Sequence, residues 1–171
     1  MTPSLTTDRL LLRSWCELDV TPLRRILLNE EVLRYFPPGP AVTRPRVAAL
    51  VARQLMHWAR YGYGWWAVEE QEREGILCGW CGLQYLPETG ETEVAYLFDK
   101  PCWGKGLATE GASAALRFGF EQTDLEFIIG LIHPENVASG RVLEKSGLEF
   151  SSKKSYFGMT CCRYEINRPG V

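Results

Sequence analysis

The sequence predicts an α+β fold: a single mixed, mostly antiparallel twisted sheet of about seven strands, with helices on both faces. Three observations lead there. Apolar segments at 64–70, 75–86 and 91–98 follow one another with only "QERE" and "PETG" between them, as strands of an antiparallel meander do. A helical stretch of about 18 residues then separates 91–98 from another apolar segment at 125–132, which lets those two strands run parallel through a right-handed crossover. Finally, 171 residues with 46% apolar side chains suffice for one substantial core and are too few for two ordinary domains, so 1–171 is read as one domain.

The elements follow in order. "DRLLLRSW" (8–15) is short, apolar and flanked by turn formers, and predicts the first strand. Asp19 can cap a helix with Pro22 in its first turn, and "LRRILLNEEVLRYF" continues it until "PPGP" at 37–40. Thr43 is expected to cap a second helix, in which Val47, Leu50, Val51, Gln54, Leu55, Trp58 and Tyr61 recur at spacings of three and four. After the three-strand meander come a helix over about 105–122, a buried strand in "LEFIIGLIH" and a short helix in "ENVASGRVLEKSG" closed by Gly147. "LEFSSKKSYFGMTCCRYEINR" supplies two final strands. No repeat or low-complexity segment interrupts this order.

Composition narrows the function classes. Net charge is −2, and no stretch concentrates Lys and Arg as a phosphate-backbone footprint does, so nucleic acid is not an expected partner. No apolar run approaches the length of a membrane span, and "MTPSLTTDRLLLR" lacks the charged and apolar regions of a secretory signal, so a cytoplasmic protein without membrane contact is expected. The six cysteines are expected to be reduced thiols rather than a disulfide framework.

The most informative stretch is "WGKGLATEGASAALRFGF" (103–120). Gly104 and Gly106 stand between a strand end and a helix start, where unpaired N–H groups and a positive macrodipole attract phosphate. Glycines there permit positive φ and close approach of a ligand; Ala108 keeps the first turn low, Thr109 adds a hydroxyl and Lys105 a mobile charge. A pair of turn glycines with no ligand is the alternative. Neither a P-loop nor a dinucleotide fingerprint fits: no Gly-Lys-Ser/Thr closes the motif, and Thr109 stands where the third glycine would fall.

Together with "HPENVASGRVLEKSGLEF" (133–150), the stretch "AYLFDKPCWGKGLATEGA" resembles the GNAT N-acetyltransferase superfamily, specifically the Rim-type branch that includes the ribosomal-protein-alanine N-acetyltransferases. That superfamily carries Q/R-x-x-G-x-G/A, and the branch commonly reads W-G-K/Q-G-Y/L-A-T-E. Trp103 departs from the superfamily's Gln or Arg but is usual in the branch. "TDRLLLRSW", "ILCGWCGLQYL" and "TEVAYLF" resemble its first strand, its I-G-x-x-G-L strand and its A-E-I-G-Y strand, so nearly the whole chain is covered.

The resemblance implies an acetyl-CoA-dependent enzyme that transfers acetyl directly to a primary amine, of a peptide N-terminus or of a small molecule, with no metal. It implies that the cofactor's pyrophosphate lies on Trp103, Gly104, Lys105, Gly106, Leu107, Ala108 and Thr109. The pantetheine arm would run along the strand ending at Leu97 and Phe98 and hydrogen-bond Asn136. Glu93 occupies the Glu position of the A-E-I-G-Y strand and is the candidate base, with Glu91 on the same face by alternation. The tyrosine that much of the superfamily uses as acid would fall at Leu143, so the thiolate's proton is assigned to Ser139, by analogy with the branch's serine. The chain is expected to act as a monomer or homodimer. The alternative is a non-catalytic acyl-CoA-binding module of the same fold, kept open by the absent tyrosine.

Other signals have plainer readings. "CGWC" has redox or half-zinc spacing, but residues three apart on a regular strand face opposite sides, so Cys78 and Cys81 are expected to pack rather than pair. A thiol redox protein built on it is a third function class. Cys102 lies near the cradle with no accompanying histidine, which speaks against an acyl-enzyme. His57 is expected to pack within its helix, whereas His133 ends a strand near the cofactor. Trp15, Phe36, Trp65 and Trp66 are candidates to line an acceptor pocket.

Overall fold

A computed structural model describes residues 2–170. Its sheet has eight strands: β1 (Leu5–Thr6), β2 (Leu10–Arg13), β3 (Trp65–Glu70), β4 (Leu77–Leu86), β5 (Glu91–Phe98), β6 (Phe127–Ile132), β7 (Glu149–Tyr156) and β8 (Met159–Asn167). They stand in the order β1-β2-β3-β4-β5-β6-β8-β7. The strand beyond the expected seven is the two-residue β1, which pairs back onto β2 and is too short to show periodicity. Every strand pair is antiparallel except β5 with β6, which are parallel as their long connection requires. The parallel pair is in register at Glu93↔Ile129 alone. Beyond it β5 and β6 diverge and split the sheet.

The helices are α1 (Val20–Leu27), α2 (Glu30–Leu33), α3 (Arg44–Tyr61), α4 (Leu107–Gln122) and α5 (Val137–Lys145). The first predicted helix is two, broken at Leu28 and Asn29, with the Asn29 side chain capping α2. Asp19 does not cap α1; its carboxylate instead accepts from Arg13 Nη1 and Nη2 at 2.8 Å each and from the Cys16 N–H at 2.9 Å. Gly147 closes α5 with φ +93, and Leu148 N–H bonds the Leu143 carbonyl.

Two larger cores lie on the two faces of the sheet, and a smaller cluster of Leu86, Ile129, Tyr156 and Cys161 adjoins them. Leu10, Trp66, Leu83, Val94 and Ile128 pack with α4 on one face. Ala67, Trp80 and Leu97 pack with α1, α2 and α3 on the other. Alternation along β5 therefore sends Val94, Tyr96 and Phe98 toward α4, and Glu93, Ala95 and Leu97 toward the α1–α3 layer. The β3–β4 ladder carries a bulge at Cys78, since Val68 pairs with Gly79 and Glu69 with Leu77. Regular alternation, on which the expectation for "CGWC" rested, is broken there, and Cys78 and Cys81 both sit in the α4-side core. All six thiols are free.

Candidate active site

The split between β5 and β6 opens a cavity of about 880 Å³ that passes from one face of the sheet to the other. Glu93 lines it from the α1–α3 side, and Tyr96, Asn136 and Ser139 line it from the α4–α5 side. The parallel pairing that brings β6 and α5 beside β5 gathers these four residues from two distant stretches of chain.

Glu93 is 9% exposed, and its carboxylate has no hydrogen-bond or ion-pair partner among the described residues. Burial of the charged form, with nothing to compensate it, raises its pKa from 4.5 to about 8. Glu91, on the same strand face, is tied up. It accepts from Arg163 Nη2 at 2.9 Å and from the Tyr156 hydroxyl at 2.8 Å, and these bonds outweigh its desolvation and hold the carboxyl below its ordinary value. Two glutamates that sequence alone leaves equivalent are thus separated by an arginine three strands away in the chain.

On the other side, the Tyr96 hydroxyl lies 2.9 Å from both the Oγ and the carbonyl oxygen of Ser139. Burial raises the phenol's pKa, against the opposing effect of its bond to Ser139, so Tyr96 stays protonated. Tyr96 is a site residue that sequence reasoning misses; its signal is a tyrosine one alternation step from Glu93's neighbours, on the face that α5 approaches. Leu143 is buried against Gly130, whose hydrogen faces the leucine methyls, so the α5 position where a tyrosine was sought is filled by core packing. Asn136 caps α5, its Oδ1 accepting from the Ser139 N–H at 3.2 Å, and its amide NH₂ is left to meet a ligand.

The glycine loop has the expected geometry. Gly104 and Gly106 adopt φ +72 and +78, and a Cβ on Gly104 would meet nothing within 4 Å. The first backbone bond of α4 runs from Glu110 N–H to the Gly106 carbonyl, so the N–H groups of Leu107, Ala108 and Thr109 lie ahead of the helix ladder. Among the described residues no side chain caps them, which leaves backbone donors that an anion could occupy. Arg9 adds a contact that the sequence does not signal: its Nη1 bonds the Lys105 carbonyl at 2.7 Å, and its Nη2 pairs with Glu110 at 2.7 Å, clamping the loop to β2.

Other expectations are modified. The Lys105 ammonium lies 3.5 Å from the Glu70 carboxylate, beside the Cys78 and Cys102 thiols, rather than free over the loop. Leu97 and Phe98 bury their side chains, so only their backbone faces a ligand, and the Phe98 carbonyl already accepts from Trp103 Nε1 at 2.7 Å. His57 lines the cavity, yet Nε2 accepts from the Tyr85 N–H at 3.1 Å and Nδ1 lies 2.8 Å from the Tyr63 carbonyl. Those partners fix a neutral ring with Nδ1 protonated, and desolvation lowers its pKa further toward that form. His133 reaches the cavity and stacks on Tyr35 at 5.5 Å. Of the four aromatic candidates, Phe36 and Trp65 line the cavity; Trp15 and Trp66 are core residues.

A family model described as an acetyltransferase (GNAT) domain matches residues 9–149, which is most of the chain. The chain belongs to the GNAT acetyltransferase family. Among curated relatives of this GNAT domain, the uncharacterized protein YkkB of Bacillus subtilis is 33% identical over 155 residues, 86% of each chain. Among solved structures, an acetyltransferase of Agrobacterium tumefaciens superposes with a TM-score of 0.84 at 23% identity, over 98% of this chain and 95% of that one. A RimL ribosomal-protein alpha-N-acetyltransferase in complex with coenzyme A superposes with a TM-score of 0.81 at 16% identity, over 96% and 98%. At such identities the last two likenesses are ones of fold. Among the described residues, no helix is long and apolar enough to cross a membrane.

Proposed function

We propose that this GNAT domain is an acetyl-CoA-dependent N-acetyltransferase that passes the acetyl group directly to a primary amine, of a peptide N-terminus or a small molecule. The observation that carries the reading is the pairing, across one cleft, of an unpartnered buried carboxylate with a hydroxyl pair. Glu93, with a pKa near 8, is matched to removing a proton from an alkylammonium at neutral to mildly basic pH. The neutral amine then adds to the thioester carbonyl, and collapse of the adduct expels a thiolate that must be protonated. Ser139 supplies that proton and recovers one from Tyr96, 2.9 Å away; the second proton, lost by the amine nitrogen as the adduct collapses, refills Tyr96, and the one taken by Glu93 leaves to solvent. Trp103 to Thr109 hold the pyrophosphate on backbone N–H groups, while the β5 edge beyond Glu93, left open where β6 diverges, accepts the pantetheine arm. No residue of the chain needs to be acylated.

Release of free thiol from acetyl-CoA against a panel of amines, beside calorimetric titration with CoA, tests this reading. Amine-dependent release with CoA binding is expected. CoA binding without release to any amine would favour the non-catalytic acyl-CoA module, and absence of CoA binding would remove the cradle assignment.

A further inference from the structure

The acceptor half of the cleft has a chemistry of its own. Its walls are aromatic: Trp65 and Trp80 stack with ring centroids 3.8 Å apart, Phe36 meets Trp80 edge-on at 6.4 Å, and Tyr61 lies 4.8 Å from Tyr85. Such faces favour flat apolar groups. The Trp65 indole N–H is buried with no partner among the described residues, a donor that an oxygen on a ligand would satisfy.

Charge is distributed unevenly. Arg53 and Arg60 fall seven residues apart on the stripe of α3 that faces the cleft, and neither forms an ion pair among the described residues. Arg60 instead lies over the Tyr61 ring, 5.2 Å from its centroid. Among the described residues only two carboxylates line the cavity: Glu93, at its interior, and the exposed Glu88 at its rim. A polycation entering here would place its extra ammonium groups against two arginines and one rim carboxylate, with no acidic wall to receive them.

We infer that the acceptor is a monoamine carried on an aromatic-sized apolar body whose other polar group is an oxygen anion, as in an aromatic amino acid or a dipeptide whose first residue is aromatic. The amine reaches Glu93, the ring lies among Phe36, Trp65 and Trp80, and the anion faces Arg53 and Arg60. Polyamines and aminoglycosides are excluded by charge and by the want of acidic partners. This inference rests on the acetyl-transfer reading and narrows it to a substrate class.

The test compares kcat/KM for five acceptors on the full chain: phenylalanine, a dipeptide beginning with phenylalanine, phenethylamine, spermidine and an aminoglycoside. The aromatic acceptors are expected to exceed the two polycations at least tenfold, and the better of the two carboxylate-bearing aromatic acceptors to exceed phenethylamine, which lacks the carboxylate; the amino acid and peptide arms distinguish a carboxylate on the amine-bearing carbon from one a residue further on. Phe36→Ala, at a 40% exposed position where folding is not at risk, is expected to raise KM for the aromatic acceptors several-fold and to leave CoA binding unchanged. The double variant Arg53→Glu and Arg60→Glu is expected to abolish the preference for the anionic acceptor over phenethylamine. Polycations turned over as well as the aromatic amines would overturn the substrate class while leaving acetyl transfer standing. CoA binding with no turnover of any amine would overturn both.

Discussion

Replacing Glu93 by glutamine removes a charge while nearly preserving shape, and two consequences can be worked out from the structure. The carboxyl titrates at 4.5 in the unfolded chain and at about 8 when folded, because burial disfavours its charge and nothing compensates. Below pH 4.5 it is neutral in both states. Between 4.5 and about 8 only the unfolded chain ionises, so the parent protein loses stability as pH rises, by up to about 1.4 kcal/mol per pH unit. The loss is complete above the folded value and amounts to about 5 kcal/mol at most. The Glu93→Gln variant lacks this slope and should gain on its parent steadily across that window. Urea unfolding of both proteins at pH 5, 7 and 9 measures the difference, a constant offset from the amide being separable from a slope. Turnover gives the second readout. With about a tenth of Glu93 ionised at pH 7, the parent's kcat/KM should rise through a limb near pH 8 to a plateau about tenfold higher, and the limb should stay in place when acceptors of different amine pKa are compared. Glu93→Gln should abolish that limb and lower kcat about a hundredfold, with CoA affinity unchanged. Parallel stability curves for the two proteins would refute the burial argument, and an unaltered pH–rate profile would remove Glu93 as the base.

Three further outcomes are expected. Glu91→Gln should leave turnover intact but destabilise the protein by about 1 kcal/mol at neutral pH, since Arg163 loses one of its two carboxylate partners and keeps Glu165. Because the folded Glu91 pKa is lowered, that stabilisation is present above the ordinary value of 4.5 and is lost as pH falls through the folded one, so thermal melts of variant and parent should converge in acid. Ser139→Ala and Tyr96→Phe should each lower kcat about ten- to a hundredfold at constant CoA affinity, and a double variant no worse than the more severe single one would show in steady-state kinetics that the two hydroxyls act as one relay. Gly106→Val introduces a branched side chain at φ +78, at a cost of about 1–2 kcal/mol, and should weaken CoA binding at least tenfold by calorimetry. Gly62→Ala, equally left-handed but at the far end of α3, should leave CoA binding unchanged.

The sequence by itself determined the class of fold, the left-handed glycine turn before α4 and the family. These depend on local rules: alternation over a meander, three-and-four spacing over α3, and positive φ at Gly104 and Gly106, all expressed within a few neighbouring residues. It could not separate Glu91 from Glu93, because strand parity treats them alike and Arg163, which neutralises one of them, lies on a strand brought near only by the sheet order. Nor could it pair Tyr96 with Ser139, 43 residues apart and joined by a single parallel crossover. The "CGWC" thiols are free and packed in the core as expected, but the face assignment behind that expectation failed for a related reason: one extra residue at Cys78, invisible in composition, changes the parity of the strand that follows. Parity, pairing and burial at the site are properties of the assembled sheet, and only the tertiary structure decides which carboxylate is left without a partner at the place where two parallel strands separate.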